Sequence, residues 1–284
     1  HLQLVRQITL LDKLGHKQAK MRRILACEDL AQVTRVEVGS PELAPQALHA
    51  LLHEGPWKHL RELQVSRVDL SEMPELLSHP RFDALEVLEL HQNELTAPVL
   101  ERLLDGSFAP GLRDLALLYN QTLGPAGAIS LPGQRALTEL RRLEICGCGI
   151  LEEGLLALTT ADHLANLSTL RLRQNGLELD GIAALEQAPW HRLTTLDIAG
   201  CGSRGGLAKS LPGFPFREHL EVLDVSGCGL GPEGFSVLAG GGAYSNLRTI
   251  TLTNNELGGS LRDALASCHW DDMTAIEFDF NGFF

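Results

Sequence analysis

The sequence has few aromatic residues and no long apolar run, and each absence excludes a class of protein. None of its apolar runs approaches the ~20 residues that a membrane-spanning helix needs, so we expect no membrane association. Aromatic residues make up 5% of the chain against 44% for hydrophobic residues as a whole, which suits a core of aliphatic layers. The motifs G-x-x-x-x-G-K-[ST], G-x-S-x-G and H-E-x-x-H do not occur, so the sequence does not predict an enzyme.

Basic residues are outnumbered by acidic ones. The chain has 24 Lys and Arg against 36 Asp and Glu, for a net charge of −12 at pH 7. Such a charge opposes binding to nucleic acid or to an anionic membrane and favours a basic protein partner. We therefore expect neither nucleic acid nor membrane among its partners. Acidic repeat proteins also gain solubility from their charge, and this alternative explanation stays open.

One eleven-residue stretch, LSTLRLRQNGL at residues 167–177, has a pattern that recurs along most of the chain. Its fourth and sixth residues are leucines that alternate with Arg171 and Arg173, which predicts a short strand with one buried face. Asn175 follows on the buried side, where its amide can satisfy the backbone of a turn. The apolar residues that follow Gly181 predict a short helix.

The pattern occurs ten times, and its copies begin 25 to 28 residues apart. They begin at Val33, Leu60, Leu85, Leu112, Leu140, Leu167, Leu193, Leu220, Leu247 and Met273. The position equivalent to Asn175, which we call the ladder position, holds Asn93, Asn120, Cys148, Asn175, Cys201, Cys228, Asn255 and Asn281. One such unit cannot cover its own apolar face, so the copies are expected to stack side by side.

These copies resemble the leucine-rich repeats of the ribonuclease-inhibitor type, in which Asn and Cys share one ladder position. The resemblance covers roughly residues 33–284. It implies an α/β fold, a right-handed leucine-rich-repeat solenoid (horseshoe) with a parallel sheet on the concave face and helices on the convex face. It also implies a non-catalytic scaffold for protein–protein interaction that needs no cofactor.

We expect one structural domain with two parts. Residues 1–32 are interpreted as an N-terminal cap or a degraded first repeat, and a functional basic patch at Lys13–Arg23 is the alternative. Residues 33–284 are the solenoid of about ten repeats. The last repeat is expected to act as a C-terminal cap, with Phe283 and Phe284 shielding the core from water. The start at His1 rather than Met leaves open that the chain is a fragment of a longer protein.

Three of the six cysteines occupy ladder positions, where a small buried thiol needs no covalent partner. This use of cysteine fits a reducing compartment, so we expect a cytoplasmic protein. Cys146 and Cys148 could instead form a metal-binding pair, and His49 and His53 have a spacing that can chelate a metal on a helix. No third ligand is evident beside the histidines, and no metal site is expected.

Residues 200–205 read G-x-G-x-x-G after a predicted strand, and Asp224 follows about twenty residues later, which is the form of a dinucleotide-binding fingerprint. However, sister repeats contain Gly-Cys-Gly in the same register, at residues 147–149 and 227–229. The glycines therefore belong to the repeat, and we expect no dinucleotide cofactor.

The residues between the two buried positions of each strand point away from the core and form the candidate binding surface. Six of these ten residues are acidic, and they predict a negative line that a basic partner, salt or Arg171 could offset. Leu118 and Tyr119, beside His91, predict an exposed apolar spot. The predicted protein-binding residues are Glu89, His91, Gln92, Leu118, Tyr119, Arg142, Glu144, Arg171, Arg173, Asp197 and Asp224.

The leading hypothesis is therefore a scaffold that binds a protein on its concave face, in a narrower version as an inhibitor of a basic enzyme. Two alternatives stay open. Similar repeats regulate a small GTPase in Ran GTPase-activating proteins, although no residue here can be matched to that activity. The chain could also be the recognition module of a larger multidomain protein.

Overall fold

The computed structural model describes residues 6–11, 26–41, 43–71, 73–202, 206–240, 242–258 and 273–281. The basic segment Lys13–Arg23, the cysteine Cys268 and the terminal pair Phe283 and Phe284 lie outside these residues. The chain divides into two compact units. Unit 1 comprises residues 1–123 and 134–140, and unit 2 comprises residues 124–133 and 141–284.

The described part of unit 1 contains five strands. They are β1 (Gln7–Leu11), β2 (Arg35–Gly39), β3 (Glu62–Ser66), β4 (Val87–His91) and β5 (Asp114–Leu118). Each strand pairs in parallel with the next one along the chain. The connections contain the helices α1 (Pro45–Glu54) and α2 (Ala97–Leu104) and short 3-10 segments at Glu28–Gln32, Pro80–Phe82, Ala109–Gly111 and Gln121–Leu123.

The described part of unit 2 contains six strands of three residues. They are β6 (Arg142–Glu144), β7 (Thr169–Arg171), β8 (Thr195–Asp197), β9 (Val222–Asp224), β10 (Thr249–Thr251) and β11 (Ala275–Glu277), again paired in parallel in chain order. Its helices are α3 (Gly124–Ser130), α4 (Leu151–Leu158), α5 (Leu179–Ala184), α6 (Gly206–Ser210) and α7 (Gly231–Ala239). Its 3-10 segments are Leu131–Gly133, Asp162–Leu164, Leu185–Gln187 and Leu211–Gly213.

The core of each unit lies between the sheet and the connecting helices. Leu170 and Leu172 are fully buried, while Arg171 between them is exposed, as the alternation predicts. Nine of the ten residues that begin the repeats, from Val33 to Leu247, are also fully buried. Burial of a leucine side chain contributes about 1.5–3 kcal/mol, so the repeated aliphatic layers are the main source of stability.

The ladder residues satisfy the backbone of the turns that follow the strands. In unit 1, Asn120 accepts the backbone N–H of Asn93 at 2.7 Å and donates to the carbonyl of Leu90 at 2.8 Å. In unit 2, the Cys228 thiol donates to the carbonyl of Ile198 at 3.1 Å. Buried backbone groups that lacked such partners would destabilise the fold. The hydrogen bonds of the ladder residues therefore connect each repeat to its neighbour within a unit.

The residue before the ladder position adopts a left-handed backbone, which explains the Gly-Cys-Gly sequences. Gly200 and Gly227 have φ of 69° and 64°, in a region that glycine enters without steric cost. These two glycines therefore serve the turn of the repeat, and residues 203–205 of the G-x-G-x-x-G sequence lie outside the described residues.

Parallel strands, one per repeat, that alternate with helices in both units confirm the predicted α/β leucine-rich-repeat solenoid class. The strand β1 lies one repeat before β2, with Ile8 opposite Val36. Within the described residues, no helix is both long enough and apolar enough to cross a bilayer.

Candidate protein-binding face

We use the term open face for the strand side chains that point away from the helices of their unit, together with the exposed residues one or two positions beyond each strand. In unit 1, the open face includes the predicted residues Glu89, His91, Gln92, Leu118 and Tyr119. Glu89 is half-buried in the middle of β4, and His91 at its end lies in register with Leu118 of β5. Both are half-buried, whereas Gln92 and Tyr119, one residue beyond each strand, are exposed.

Tyr119 is the exposed aromatic residue of this group, with 48% of its surface accessible. Its φ is +56°, and it occupies the turn position that holds Gly200 and Gly227 in sister repeats. A left-handed backbone costs a residue with a side chain roughly 1–2 kcal/mol relative to its ordinary conformation. The same backbone conformation occurs at Gln92, Gln174 and Asn254, so it belongs to the turn of the repeat. The exposed ring, and not the backbone, marks Tyr119 as a candidate contact residue.

In unit 2, the open face carries paired charges. Glu144 of β6 is buried and accepts a hydrogen bond from Nε of Arg142 at 2.8 Å. The Nη1 atom of Arg171, from the neighbouring strand β7, lies 3.0 Å from the same carboxylate oxygen. Arg171 and Glu144 lie directly opposite each other in the strand register. Two arginines therefore share one buried carboxylate.

A second cluster lies beside the first, around Arg173. Its Nε and Nη2 donate to Asp197 Oδ2 at 3.1 and 2.9 Å, and Nη2 also donates to Asp224 Oδ2 at 2.7 Å. The hydrogen bond and charge of Asp197 raise the pKa of Arg173, although burial opposes the shift. The other carboxylate oxygens accept from the backbone N–H of Ala199 and from Ser226. The arginine thus separates two adjacent aspartates that would otherwise repel each other.

This pairing corrects the expectation of an exposed acidic line for three of its four residues in unit 2, whereas the fourth, Glu277, is exposed. The side chains of Glu144, Asp197 and Asp224 are only 6%, 10% and 18% exposed, whereas those of Arg142, Arg171 and Arg173 are 38% to 44% exposed. The carboxylates lie beneath the guanidinium groups. The sequence suggested that Arg171 could offset the aspartates. In the structure Arg173 does so, while Arg171 pairs with Glu144.

The candidate metal ligands have other partners. The thiols of Cys146 and Cys148 lie 3.5 Å from the backbone carbonyls of Arg171 and Cys146, and burial raises the pKa of Cys146 to about 12. The rings of His49 and His53 stack 4.0 Å apart, and Nε2 of His53 lies 2.8 Å from the Leu76 carbonyl. Among the described residues, no group of three or more His, Cys, Asp or Glu is arranged to hold a metal ion.

Burial and neighbouring positive charge affect the histidine group on α1. Desolvation lowers the pKa of His53, and His49, His79 and Arg81 lower it further, although the hydrogen bond to Leu76 opposes them. An open depression of about 530 Å³ lies beside this helix and is lined by residues that include His49 and Met73.

The repeat, the fold and the comparisons with known proteins define the class: the chain is a leucine-rich-repeat protein. The family model described as Leucine Rich repeat matches residues 218–239. F-box/LRR-repeat protein 12 of Homo sapiens is 30% identical over 173 residues, and the match covers 53% of this chain and 51% of the relative. The Mus musculus protein of the same name is 28% identical over the same length. The chain therefore spans about half the length of these relatives.

Two solved structures agree in fold. The leucine-rich repeat-containing protein LegL7 from Legionella pneumophila has a TM-score of 0.60 at 18% identity, with 98% of this chain and 92% of that chain covered. The yeast complex of Rad7 and Elc1 gives a TM-score of 0.61 at 16% identity, with 89% of this chain and 66% of that chain covered. Solenoids of this class present extended surfaces for protein recognition.

Proposed function

We propose that this chain is a non-catalytic recognition module that binds a protein partner through the open face of its sheets. Short strands hold the side chains of successive repeats in fixed register, so a partner would meet a surface that is already ordered. Pre-ordered side chains lose little entropy on binding, which favours affinity. The relatives and the fold support a role in protein interaction rather than in catalysis.

Tyr119 carries this proposal. Tyrosine is enriched among the residues that dominate binding energy at protein interfaces, because it combines a large apolar surface with a polar tip. In unit 1 it is half exposed, held in a left-handed turn, and accompanied by the exposed Gln92 of the preceding repeat. We take this exposed aromatic as the centre of the contact in unit 1, with Glu89, His91 and Leu118 around it.

The narrower hypothesis, inhibition of a basic enzyme, has less support. Of the four acidic residues of the open face in unit 2 that were to attract such an enzyme, Glu144, Asp197 and Asp224 already accept hydrogen bonds from arginines of the same unit, and Glu277 is exposed. The charge of the first three is thus locally neutralised. We therefore base the proposal on recognition of a protein surface and not on the net charge of −12.

A reducing, cytoplasmic environment fits the ladder. The thiols of Cys201 and Cys228 donate to backbone carbonyls at 3.2 and 3.1 Å, and Cys148 lies at the equivalent position. Oxidation would remove these donors from buried positions.

Since the F-box/LRR-repeat relatives are about twice as long as the matched segment, we also propose that the module can serve as the recognition part of a longer chain.

Affinity capture with matched variants tests the proposal. The purified chain is immobilised and used to capture proteins from the native cell extract, and the proteins are identified by mass spectrometry. Tyr119→Arg alters the open face, whereas Leu156→Arg alters an equally apolar side chain on α4 that is 59% exposed. We expect Tyr119→Arg to abolish capture of the specific partner and Leu156→Arg to retain it.

The reverse result would refute the proposal, because it would assign the contact to the helices. Capture by both variants at the wild-type level would show that Tyr119 does not contribute to the interface. Circular dichroism should show that both variants unfold at temperatures close to that of the wild type, which separates lost binding from lost folding.

A further inference from the structure

The open face of unit 2 presents arginines to solvent although the chain as a whole is acidic. Arg142, Arg171 and Arg173 lie on or beside two adjacent strands, β6 and β7, and Arg171 and Arg173 point to the same side because they are two residues apart. With about 3.3 Å per strand residue, their backbones are roughly 7 Å apart. One extended peptide segment can therefore contact all three side chains.

The guanidinium groups of Arg171 and Arg173 retain donors for a ligand. A guanidinium has five N–H donors. Arg173 directs Nε and Nη2 at Asp197 and Asp224, so the two hydrogens on Nη1 remain for another acceptor. Arg171 approaches Glu144 through Nη1, and its remaining donors can reach an acceptor above the sheet.

The carboxylates hold these arginines in place. Asp197 accepts from Arg173 and from the backbone of Ala199, and Asp224 accepts from Arg173 and from Ser226. An arginine fixed in this way loses less rotamer entropy when it binds a second carboxylate than a mobile surface arginine does. The buried acids therefore fix the arginine side chains in position, and the arginines form the surface that a partner contacts.

The neighbours of Arg173 leave room for a ligand. The backbone of Gly147 donates to the carbonyl of Arg173, and the N–H of Gln174 donates to the carbonyl of Ala199. These bonds place Cys146 and Ala199 beside Arg173 on the adjacent strands, and both have small, buried side chains. The side chain of Arg173 is itself 44% exposed, so a carboxylate can approach its guanidinium from solvent.

We propose that Arg142, Arg171 and Arg173 form a docking site for an acidic segment of the partner protein, a run of Asp or Glu side chains. The composition of the chain favours a basic partner, whereas this site binds an acidic one. Each carboxylate of the segment forms charge-assisted hydrogen bonds with guanidinium donors, and such bonds are stronger than neutral ones. This inference rests on the proposed function, since it specifies what the open face of unit 2 recognises.

Two labelled peptides test the docking site directly. Fluorescein-labelled hexaglutamate and hexalysine are titrated separately with the full chain, and binding is followed by fluorescence anisotropy. At about 0.15 M salt the Debye length is about 8 Å, so the distant acidic residues repel hexaglutamate little. We expect hexaglutamate to bind, hexalysine not to bind, and Arg171→Gln and Arg173→Gln each to weaken hexaglutamate at least fivefold.

Three further variants serve as controls. Arg192→Gln removes an exposed arginine of unit 2 that lies outside the open face and should leave binding unchanged. Arg173→Lys keeps the charge but loses the planar fork, so it should weaken binding less than Arg173→Gln does. Arg171→Gln leaves Glu144 paired with Arg142, so this variant should fold even if Arg173→Gln does not. Asp224→Asn should leave hexalysine without detectable binding, as in the wild type.

Several results would overturn the inference. Hexaglutamate could fail to bind, or it could bind Arg171→Gln as tightly as the wild type. Hexalysine could bind in its place and be lost in Asp224→Asn, which would assign the face to a basic ligand. None of these measurements involves Tyr119. Failure of the acidic docking site is thus distinguishable from failure of the proposed function, which the capture experiment on unit 1 decides.

Discussion

The side-chain Oδ1 of Asn175 accepts the backbone N–H of Cys148 at 3.0 Å, which joins the ladder residues of two successive repeats. The amide nitrogen of Asn175 donates to the carbonyls of Ile145 and Leu172, so one buried side chain satisfies groups on two turns. Asn255 repeats the arrangement with Cys228 at 3.1 Å. The ladder is thus a chain of hydrogen bonds that sets the register of the strands in unit 2.

Replacement of Asn175 by leucine should destabilise the protein by about 2–4 kcal/mol, because buried backbone groups of two turns lose their partners. Asn175→Cys should be less harmful, since Cys201 and Cys228 fill the same position in sister repeats and donate to equivalent carbonyls. Urea unfolding followed by circular dichroism measures both changes. Midpoints of both variants equal to that of the wild type would show that the ladder hydrogen bonds contribute little.

Tyr119→Gly should have opposite effects on stability and binding. Glycine accepts the φ of +56° without strain, so the variant should gain up to about 1 kcal/mol in stability, while the exposed aromatic contact is lost. Gln174→Gly is the matched control, because Gln174 has a φ of +58° at the equivalent turn. Thermal unfolding measures the gain. A large loss of stability in Tyr119→Gly alone would mean that the ring supports the fold.

The buried thiols predict a loss of stability in alkali. Burial raises the pKa of Cys146 and Cys228 from 9.0 to about 12. Above pH 9 the unfolded chain releases these protons while the folded chain retains them, so the unfolded state is favoured. Each thiol should lower the free energy of unfolding by about 1.4 kcal/mol per pH unit between these two values. Below pH 9 both states keep the protons, and the contribution is constant.

Urea unfolding at pH 8, 9 and 10 measures this dependence. Cys146→Ala is the informative variant, because Cys146 does not occupy a ladder position, and its pH slope should be shallower than that of the wild type. An identical slope in the variant would show that the Cys146 thiol does not titrate differently in the two states.

The spacing of leucines predicted much of the fold. Leu170, Leu172 and Asn175 lie on the buried side, because alternation and a fixed repeat length determine which side chains face the core. The resemblance to long leucine-rich repeats placed helices between the strands. The spacing of leucines did not predict the left-handed backbone conformation of Tyr119. Glycine at the equivalent turn positions could have indicated it.

The ion pairs of the open face could not be predicted in the same way. A long arginine side chain can lean across neighbouring strands, so its partner depends on reach and on the size of adjacent residues. Arg173 has small neighbours and extends to Asp197 and Asp224, whereas Arg171 turns towards Glu144. The pattern gave the side of the sheet for each residue but not its partner.

Hydroxyl-radical footprinting of the captured complex tests the central claim, that the open face binds the partner, most directly. Mass spectrometry compares the oxidation of side chains in the free and bound chain. We expect protection of Tyr119, Leu118 and His91, with unchanged oxidation of Ile129 and Leu156, which are exposed on α3 and α4. Protection of Ile129 and Leu156, with Tyr119 oxidised as in the free chain, would contradict the account.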